Sequence, residues 1–311
     1  MSSRCLACYE ALETSEAYHS SCVKKIFGTS WVPVLDFVQK DFYLLAQKMA
    51  GQMSISGAQP KITVELNEKD KKIELLPRGG SYILKPQNQN YAHLPENEDL
   101  CMHLSKVYEI ETAKHALIKT AEGEFAYLVK RFDLSSQGNK FPVEDFGQIL
   151  GVASERKYSG SYEKIGKAIL QHCTHPYLEL TRFFERLLFC FVIGNGDMHL
   201  KNFSLITDAE QIVALSPAYD LLSSKLVIPS EDDLPLSLLG KRNKIKGQSF
   251  LIFGEGLGLA PKAMQNSIHR LLELQSTFEA WIQKSFLPQE QQKKFAKILI
   301  ERMGRFSKIS G

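Results

Sequence analysis

The stretch Ile193-Gly194-Asn195-Gly196-Asp197-Met198-His199-Leu200-Lys201-Asn202 sets an aspartate and an asparagine five residues apart, and Tyr219-Asp220 supplies a second acid. Just upstream, Phe183, Phe184, Leu187, Leu188, Phe191 and Val192 mark the buried face of a helix that ends at Gly194. D-x-x-x-x-N with a downstream Asp is the set of groups that phosphoryl transfer uses. The first Asp orients an acceptor hydroxyl and takes its proton, while the Asn and the second Asp hold Mg²⁺ against nucleotide phosphates. Such chemistry needs positioning and charge neutralisation more than covalent help, so a few oxygen ligands on a fixed loop suffice. Taken alone the spacing is common, and an ordinary polar loop with a capping Asp would carry the same letters.

The segments before the loop give it context. Leu35, Val38, Phe42, Leu45 and Met49 predict an amphipathic helix. Ser54-Ile55-Ser56-Gly57-Ala58-Gln59-Pro60-Lys61 is rich in small residues and precedes a strand in which Ile62, Val64 and Leu66 alternate. Asn67 to Asp70 reads as a turn and Ile73 to Leu76 as the returning strand. Ser81 to Pro86 is a third strand, stopped by proline. Pro95-Glu96-Asn97-Glu98 opens a helix whose acids suit its first turn. Phe125 to Phe132 is a further strand. These elements predict a mostly antiparallel sheet with one helix. Beyond about residue 135 the pattern turns helical, with Leu205-Ile206 and Ile212-Val213 as a short hairpin. Ile268 to Ile282 reads as one helix and Phe295 to Arg302 as the last; Gly254-Glu255-Gly256-Leu257-Gly258 reads as a turn.

Composition narrows the class. The 311 residues are 44% hydrophobic and 23% charged, ordinary for a soluble globular protein. A net charge of +3 gives no reason to expect direct nucleic-acid binding, although the basic cluster Lys241 to Lys246 is either a solvated face or a contact for a partner. No apolar run reaches the ~18 residues of a membrane span, and the N-terminus has no secretory pattern. Six cysteines without that pattern do not imply a disulfide framework, and the expected location is the cytoplasm.

Five pieces stand in the order a kinase needs them. The Ser54 to Ala58 loop, including Ile55, Ser56 and Gly57, has backbone N–H groups that could cover ATP phosphates. Lys85 ends a strand, where a cation would pair with the α/β-phosphates. Val129-Lys130-Arg131-Phe132 is a hinge-like strand end whose backbone would hydrogen-bond adenine, with Phe132 packing on the ring. The Asp197 loop and Asp220 complete the series. Glu98 would either pair with Lys85 or cap its helix. Lys201 is placed for the γ-phosphate, and His199 reads as a structural loop residue rather than a proton shuttle.

On these motifs, with Glu144-Asp145-Phe146-Gly147-Gln148 and Pro217-Ala218-Tyr219-Asp220-Leu221-Leu222-Ser223, the chain resembles the HipA-type serine/threonine kinases of bacterial toxin–antitoxin systems. The resemblance runs from about residue 50 to 225. It implies an α+β, two-lobed protein-kinase-like fold: a small N-terminal segment (1–50), a mostly antiparallel β N-lobe (51–134) and a large helical C-lobe (135–311). It implies ATP and Mg²⁺ as cofactors, with Lys85 on the phosphates, Lys130 and Phe132 at adenine, Asp197 as catalytic base, and Asn202 and Asp220 on the metal. Family members phosphorylate aminoacyl-tRNA synthetases and also a serine of their own phosphate loop. Here that serine corresponds to Ser54, with Ser56 a second candidate. The longer members carry an extra N-terminal subdomain before the loop, and this chain resembles the short form, HipT. The expected partners are then a small HipS-like antitoxin resembling the missing piece and a HipB-like DNA-binding protein, with no membrane. Export as an effector into a host cell stays open.

Two other readings share part of the pattern. A small-molecule phosphotransferase would use the same D-x-x-x-x-N logic, and a non-catalytic kinase-like scaffold could sit in a DNA-bound antitoxin complex. A separate signal lies at the N-terminus, where Cys5, Cys8, His19 and Cys22 form C-x₂-C-x₁₀-H-x₂-C. Four soft ligands at this knuckle-like spacing could bind Zn²⁺ tetrahedrally; the alternative is free or buried thiols in a small cap.

Overall fold

Residues 4–38, 61–76, 79–135 and 137–307 are described by the computed structural model. The phosphate loop Ser54 to Pro60 therefore lies outside the described residues, as does most of the helix expected from Leu35 to Met49. The chain divides into two compact units. One comprises Met1–Asp99, Ala113–Gly138 and Lys284–Phe286; the other comprises Leu100–Thr112, Asn139–Gln283 and Leu287–Gly311.

The first unit holds helix α1 (Ser20–Phe27), strands β1 (Ile62–Asn67), β2 (Lys72–Leu76) and β3 (Tyr82–Lys85), the start of α2 (Leu94–Val107), then β4 (His115–Lys119) and β5 (Phe125–Lys130). The strands form one sheet in the order β2-β1-β3-β5-β4, antiparallel at every pairing. The β1–β2 turn forms as expected, with Asn67 Oδ1 accepting from the Asp70 N–H at 3.0 Å. Strand β4 was not legible because Ala116, Leu117 and Ile118 are all buried, which removes the alternation that betrays a strand. Leu6, Tyr18, Val23, Ile26 and Phe27 of the N-terminal segment join Val64, Leu84, Leu117 and Leu128 in one core. Tyr18 Oη donates to the Leu117 carbonyl at 2.6 Å, so the ring is buried with its polar atom satisfied. Residues 35–38 are not helical: Val34 makes a parallel bridge to Lys72, which holds the chain extended there.

In the second unit a three-stranded antiparallel sheet, β6 (Val143–Asp145), β7 (Ser204–Thr207) and β8 (Val213–Leu215), accompanies the helices. Its helices after α2 are α3 (Phe146–Ile149), α4 (Tyr162–His172), α5 (Pro176–Val192), α6 (Ser224–Val227), α7 (Gly247–Gly256), α8 (Pro261–Glu273), α9 (Gln275–Gln283) and α10 (Gln289–Gly304). The expected single helix over 268–282 is two, α8 and α9, joined at Leu274, with no Gly or Pro to announce the break. Gly254 and Gly256 lie in the last turn of α7 rather than in a free turn.

Helix α5 is the axis of this unit. Proline at its first position is pre-set for helical φ, and eleven of its residues are buried. Phe183 meets Tyr162, Phe203 and Phe253, while Phe191 meets Phe250 and Phe306. Near it, Arg302 is buried and bonds Asp233 at 3.1 Å; Arg305 bonds the other oxygen of Asp233 at 2.7 Å. Burial pushes the Asp233 carboxyl pKa up, but Arg305, the Ile245 N–H and Arg302 outweigh it and hold the value below the ordinary one. Asp233→Ala leaves Arg302 buried without its partner and should cost about 3 kcal/mol, read from urea unfolding. Because the folded pKa is depressed, this contribution is full at neutral pH. It is lost as pH falls from about 3.9, the unfolded value, through the folded one.

Candidate active site

The loop is shaped by the way α5 stops. Gly194 adopts φ +71, its N–H bonds the Phe191 carbonyl at 3.1 Å, and the Asn195 N–H bonds the Cys190 carbonyl at 2.9 Å. This is the paired closure that ends a helix through a left-handed residue, and glycine carries it without strain. A side chain at 194 would also meet Lys225 Cβ at 2.9 Å and Ile298 Cγ2 at 3.0 Å. Gly196 is equally constrained: its N–H donates to Ser224 Oγ at 2.6 Å, and an added Cβ would lie 2.5 Å from Glu231 Oε2.

From there Asp197 is fixed at its backbone and presented at its carboxylate. Its N–H bonds Asn195 Oδ1 at 3.0 Å, and its carbonyl accepts from Asn202 Nδ2 at 2.8 Å. The Asp197 side chain stays 41% exposed, with Tyr158 Oη donating to Oδ1 at 2.5 Å. Asn202 spends its amide N–H on the loop, which leaves Oδ1 as the atom that could take a metal. Asp220 stands on a left-handed backbone, φ +54, which Asp tolerates better than most residues. The adjacent Tyr219 Oη donates to the Lys201 carbonyl at 3.1 Å, tying the Asp220 segment to the loop. Asn202 and Asp220 offer the hard oxygen donors that Mg²⁺ prefers, so the residues fit that ion.

Lys201 points to Asp145 Oδ2 at 3.0 Å. The same carboxylate caps α3, since Oδ1 accepts from the Gln148 N–H at 2.9 Å and Gln148 Oε1 accepts from the Asp145 N–H at 3.0 Å. His199 is buried. Its Nδ1 accepts from the Lys201 N–H at 3.3 Å, which leaves the proton on Nε2, 3.8 Å from Asp197 Oδ1. Burial depresses its pKa to about 4, against a smaller upward pull from Asp197. The ring is therefore neutral at physiological pH.

In the first unit, Lys85 at the end of β3 bonds Glu98 of α2 at 2.6 Å; their side chains are only 7% and 2% exposed. Of the two roles weighed for Glu98, pairing with Lys85 is the one the structure displays. Lys130 ends β5, and its N–H bonds the Lys114 carbonyl at 2.7 Å. Phe132 follows in a turn, half-buried, beside the Arg131–Asp133 ion pair. The sulfurs of Cys5, Cys8 and Cys22 and a ring nitrogen of His19 lie within 4.8 Å of one another. Ser54, Ile55, Ser56 and Gly57 are outside the described residues. Three contacts were not foreseen from the sequence: Tyr158 on Asp197, the pairing of Asp145, itself part of a quoted motif, with Lys201, and Glu231 against Gly196. Each depends on pairing across dozens of positions, which no local spacing rule reveals.

Solved kinases share this fold. The HipA chain of a Shewanella oneidensis toxin–antitoxin complex with HipB and operator DNA superposes with a TM-score of 0.68 at 21% identity, covering 82% of this chain and 65% of that one. The Helicobacter pylori proinflammatory kinase CtkA gives 0.54 at 14% identity, covering 75% and 87%. The architecture is thus α+β and protein-kinase-like. Two sequence relatives bear the name "Putative kinase". That from Haemophilus influenzae is 29% identical over 83% of this chain and 82% of its own length; Y4dM from Sinorhizobium fredii is 35% identical over 70% and 55%. The serine/threonine-protein kinase toxin HipA of S. oneidensis is 24% identical over 71% of this chain and 55% of its length. The HipA-like C-terminal domain family matches residues 53–281, and the chain belongs to it. None of the described helices is long and apolar enough to cross a membrane.

A direct check on the loop is the His199 ring. In ¹H–¹⁵N spectra it should stay neutral, protonated on Nε2 alone, from pH 8 down to about 4. A transition near 6.5, the ordinary histidine value, would contradict the burial described.

Proposed function

We propose that the chain is a Mg²⁺- and ATP-dependent protein serine/threonine kinase and the toxin of a toxin–antitoxin pair. The observation that carries this reading is the Asp197 loop, where a rigid backbone presents an accessible carboxylate and Asn202 is bonded to the same turn. Asp197 would orient the acceptor hydroxyl and take its proton, the work of a positioned general base. Lys85, held by Glu98, would meet the α/β-phosphates, and Lys201 the γ-phosphate. Lys130 and Phe132 would contact adenine. Mg²⁺, carried by Asn202 and Asp220, would neutralise charge on the phosphates. Neutral His199 supports the loop rather than shuttling protons.

The acceptor is proposed to be a serine of an aminoacyl-tRNA synthetase, so that translation and growth stop, with Ser54 or Ser56 modified in the chain itself. Membership in the HipA-like family supports this assignment. The S. oneidensis HipA chain was solved with HipB and DNA, which supports a HipB-like partner here. A small HipS-like antitoxin is proposed as a further partner.

Labelled ATP with Mg²⁺ tests the proposal. Asp197→Asn should lower phosphate transfer by about 10²–10⁴-fold, the usual worth of a general base, and should relieve growth arrest on expression. Dephosphorylated wild type should gain phosphate on Ser54 or Ser56 by mass spectrometry. Transfer to a free sugar or antibiotic with no labelled protein would overturn the protein-kinase reading; failure to bind ATP would favour a scaffold.

A further inference from the structure

The N-terminal cysteines and histidine, the last of them Cys22, precede Ser54, the first residue used in the phosphoryl-transfer reading, and they meet for reasons of their own. Cys5 and Cys8 lie on a tight hairpin. The Tyr9 N–H bonds the Cys5 carbonyl at 2.9 Å, the Cys5 N–H bonds the Glu10 carbonyl at 2.9 Å, and Arg4 bridges Ala11 in antiparallel fashion. Tyr9 turns the chain there with φ +64. His19 is the N-cap residue of α1 and Cys22 follows three residues later, so the two side chains share one face of the first turn. The hairpin and the helix start thereby deliver two ligands each to one point.

The distances suit an ion. All four ligand atoms lie within 4.8 Å of one another. Cys8 Sγ is 3.4 Å from His19 Nδ1, and Cys22 Sγ is 4.0 Å from it. A tetrahedral zinc centre with Zn–S near 2.3 Å and Zn–N near 2.0–2.1 Å has ligand–ligand edges of about 3.5–3.8 Å. His19 is also oriented as metal-bound histidines are. Its Nε2 is 3.0 Å from the Ala11 carbonyl, and a proton donated there leaves the Nδ1 lone pair for the cluster. Cys5 is fully buried, while Cys8, His19 and Cys22 are half-buried. Cys5, Cys8 and Cys22 are free thiols in this structure.

We propose that Cys5, Cys8, His19 Nδ1 and Cys22 bind one structural Zn²⁺ per chain. Four protein ligands close the coordination sphere, which separates this centre from a catalytic zinc with an open position. Three sulfurs and one imidazole in a tetrahedron are a zinc set rather than a Mg²⁺ or Ca²⁺ set. The metal would do what the segment's length does not. An eight-residue helix is marginal by itself, yet α1 and its hairpin place Leu6, Tyr18, Val23, Ile26 and Phe27 in the core of the five-stranded sheet. Clamping hairpin to helix start fixes those side chains as one body before they pack. The proposal does not rest on the kinase reading.

The full chain, purified in reductant without chelator, is analysed for bound metal by plasma mass spectrometry. One zinc per chain is expected, released by a thiol-modifying reagent. Cobalt added to the metal-free protein should give the strong d–d bands of a tetrahedral site with thiolate charge transfer. Cys22→Ser should lower zinc stoichiometry and lower the thermal midpoint. Should that variant not fold, wild-type stoichiometry and the cobalt spectrum decide alone. Background zinc with no tetrahedral cobalt spectrum would overturn the site. So would a disulfide among Cys5, Cys8 and Cys22 in protein alkylated directly from cells.

Discussion

The second unit depends on how one helix ends. Every residue of helix α5 from Arg186 to Val192 is buried, and a buried helix terminus must satisfy its last carbonyls within the protein. The left-handed turn at Gly194 does so with the N–H groups of Gly194 and Asn195. The same turn aims the chain into the Asp197 loop. Lys225 and Ile298 crowd the site of a missing side chain at 194, and Glu231 crowds that at 196. The loop's shape is therefore imposed by its neighbours as well as by its own hydrogen bonds. A short polar segment held in this way keeps its geometry without burying the Asp197 carboxylate.

The acidic groups of the two units differ by environment, each within its own unit. Asp145 is occupied twice, by the α3 cap and by Lys201. Glu98 is buried against Lys85, where removing either partner would strand a charge. Burial pushes the Glu231 pKa up, and the nearby Asp197 charge adds to it. Asp197 alone of these combines an anchored backbone with an open side chain. Tyr158 bonds it, and Arg242, from the basic cluster, donates to the Tyr158 carbonyl at 2.8 Å. One exposed member of that cluster thus braces the residue that bonds Asp197.

Much of this was legible because its cause is local. Alternation exposed β1, proline bounded β3, and the apolar face of α5 led straight to the loop. The spacing of Cys5, Cys8, His19 and Cys22 reported a juxtaposition that the backbone then made. What stayed hidden had non-local causes. Strand β4 is buried on both faces and loses its period; the break between α8 and α9 at Leu274 comes from packing, not from a helix-breaking residue. Val34 pairs with Lys72, so a pattern that looked helical from Leu35 begins in extended chain. Tyr158 on Asp197 and Asp145 on Lys201 join residues 39 and 56 positions apart.

Asp220 carries a consequence of its own. Its backbone lies at φ +54, a region open to glycine and, among side-chain residues, chiefly to asparagine and aspartate. Glutamate offers the same carboxylate on one more methylene, yet that backbone disfavours it. The preference is one of degree, since Glu109 of this chain holds φ +66. Asparagine at 220 would keep the favoured backbone and lose the charge, whereas glutamate would keep the charge on a backbone it adopts at some cost.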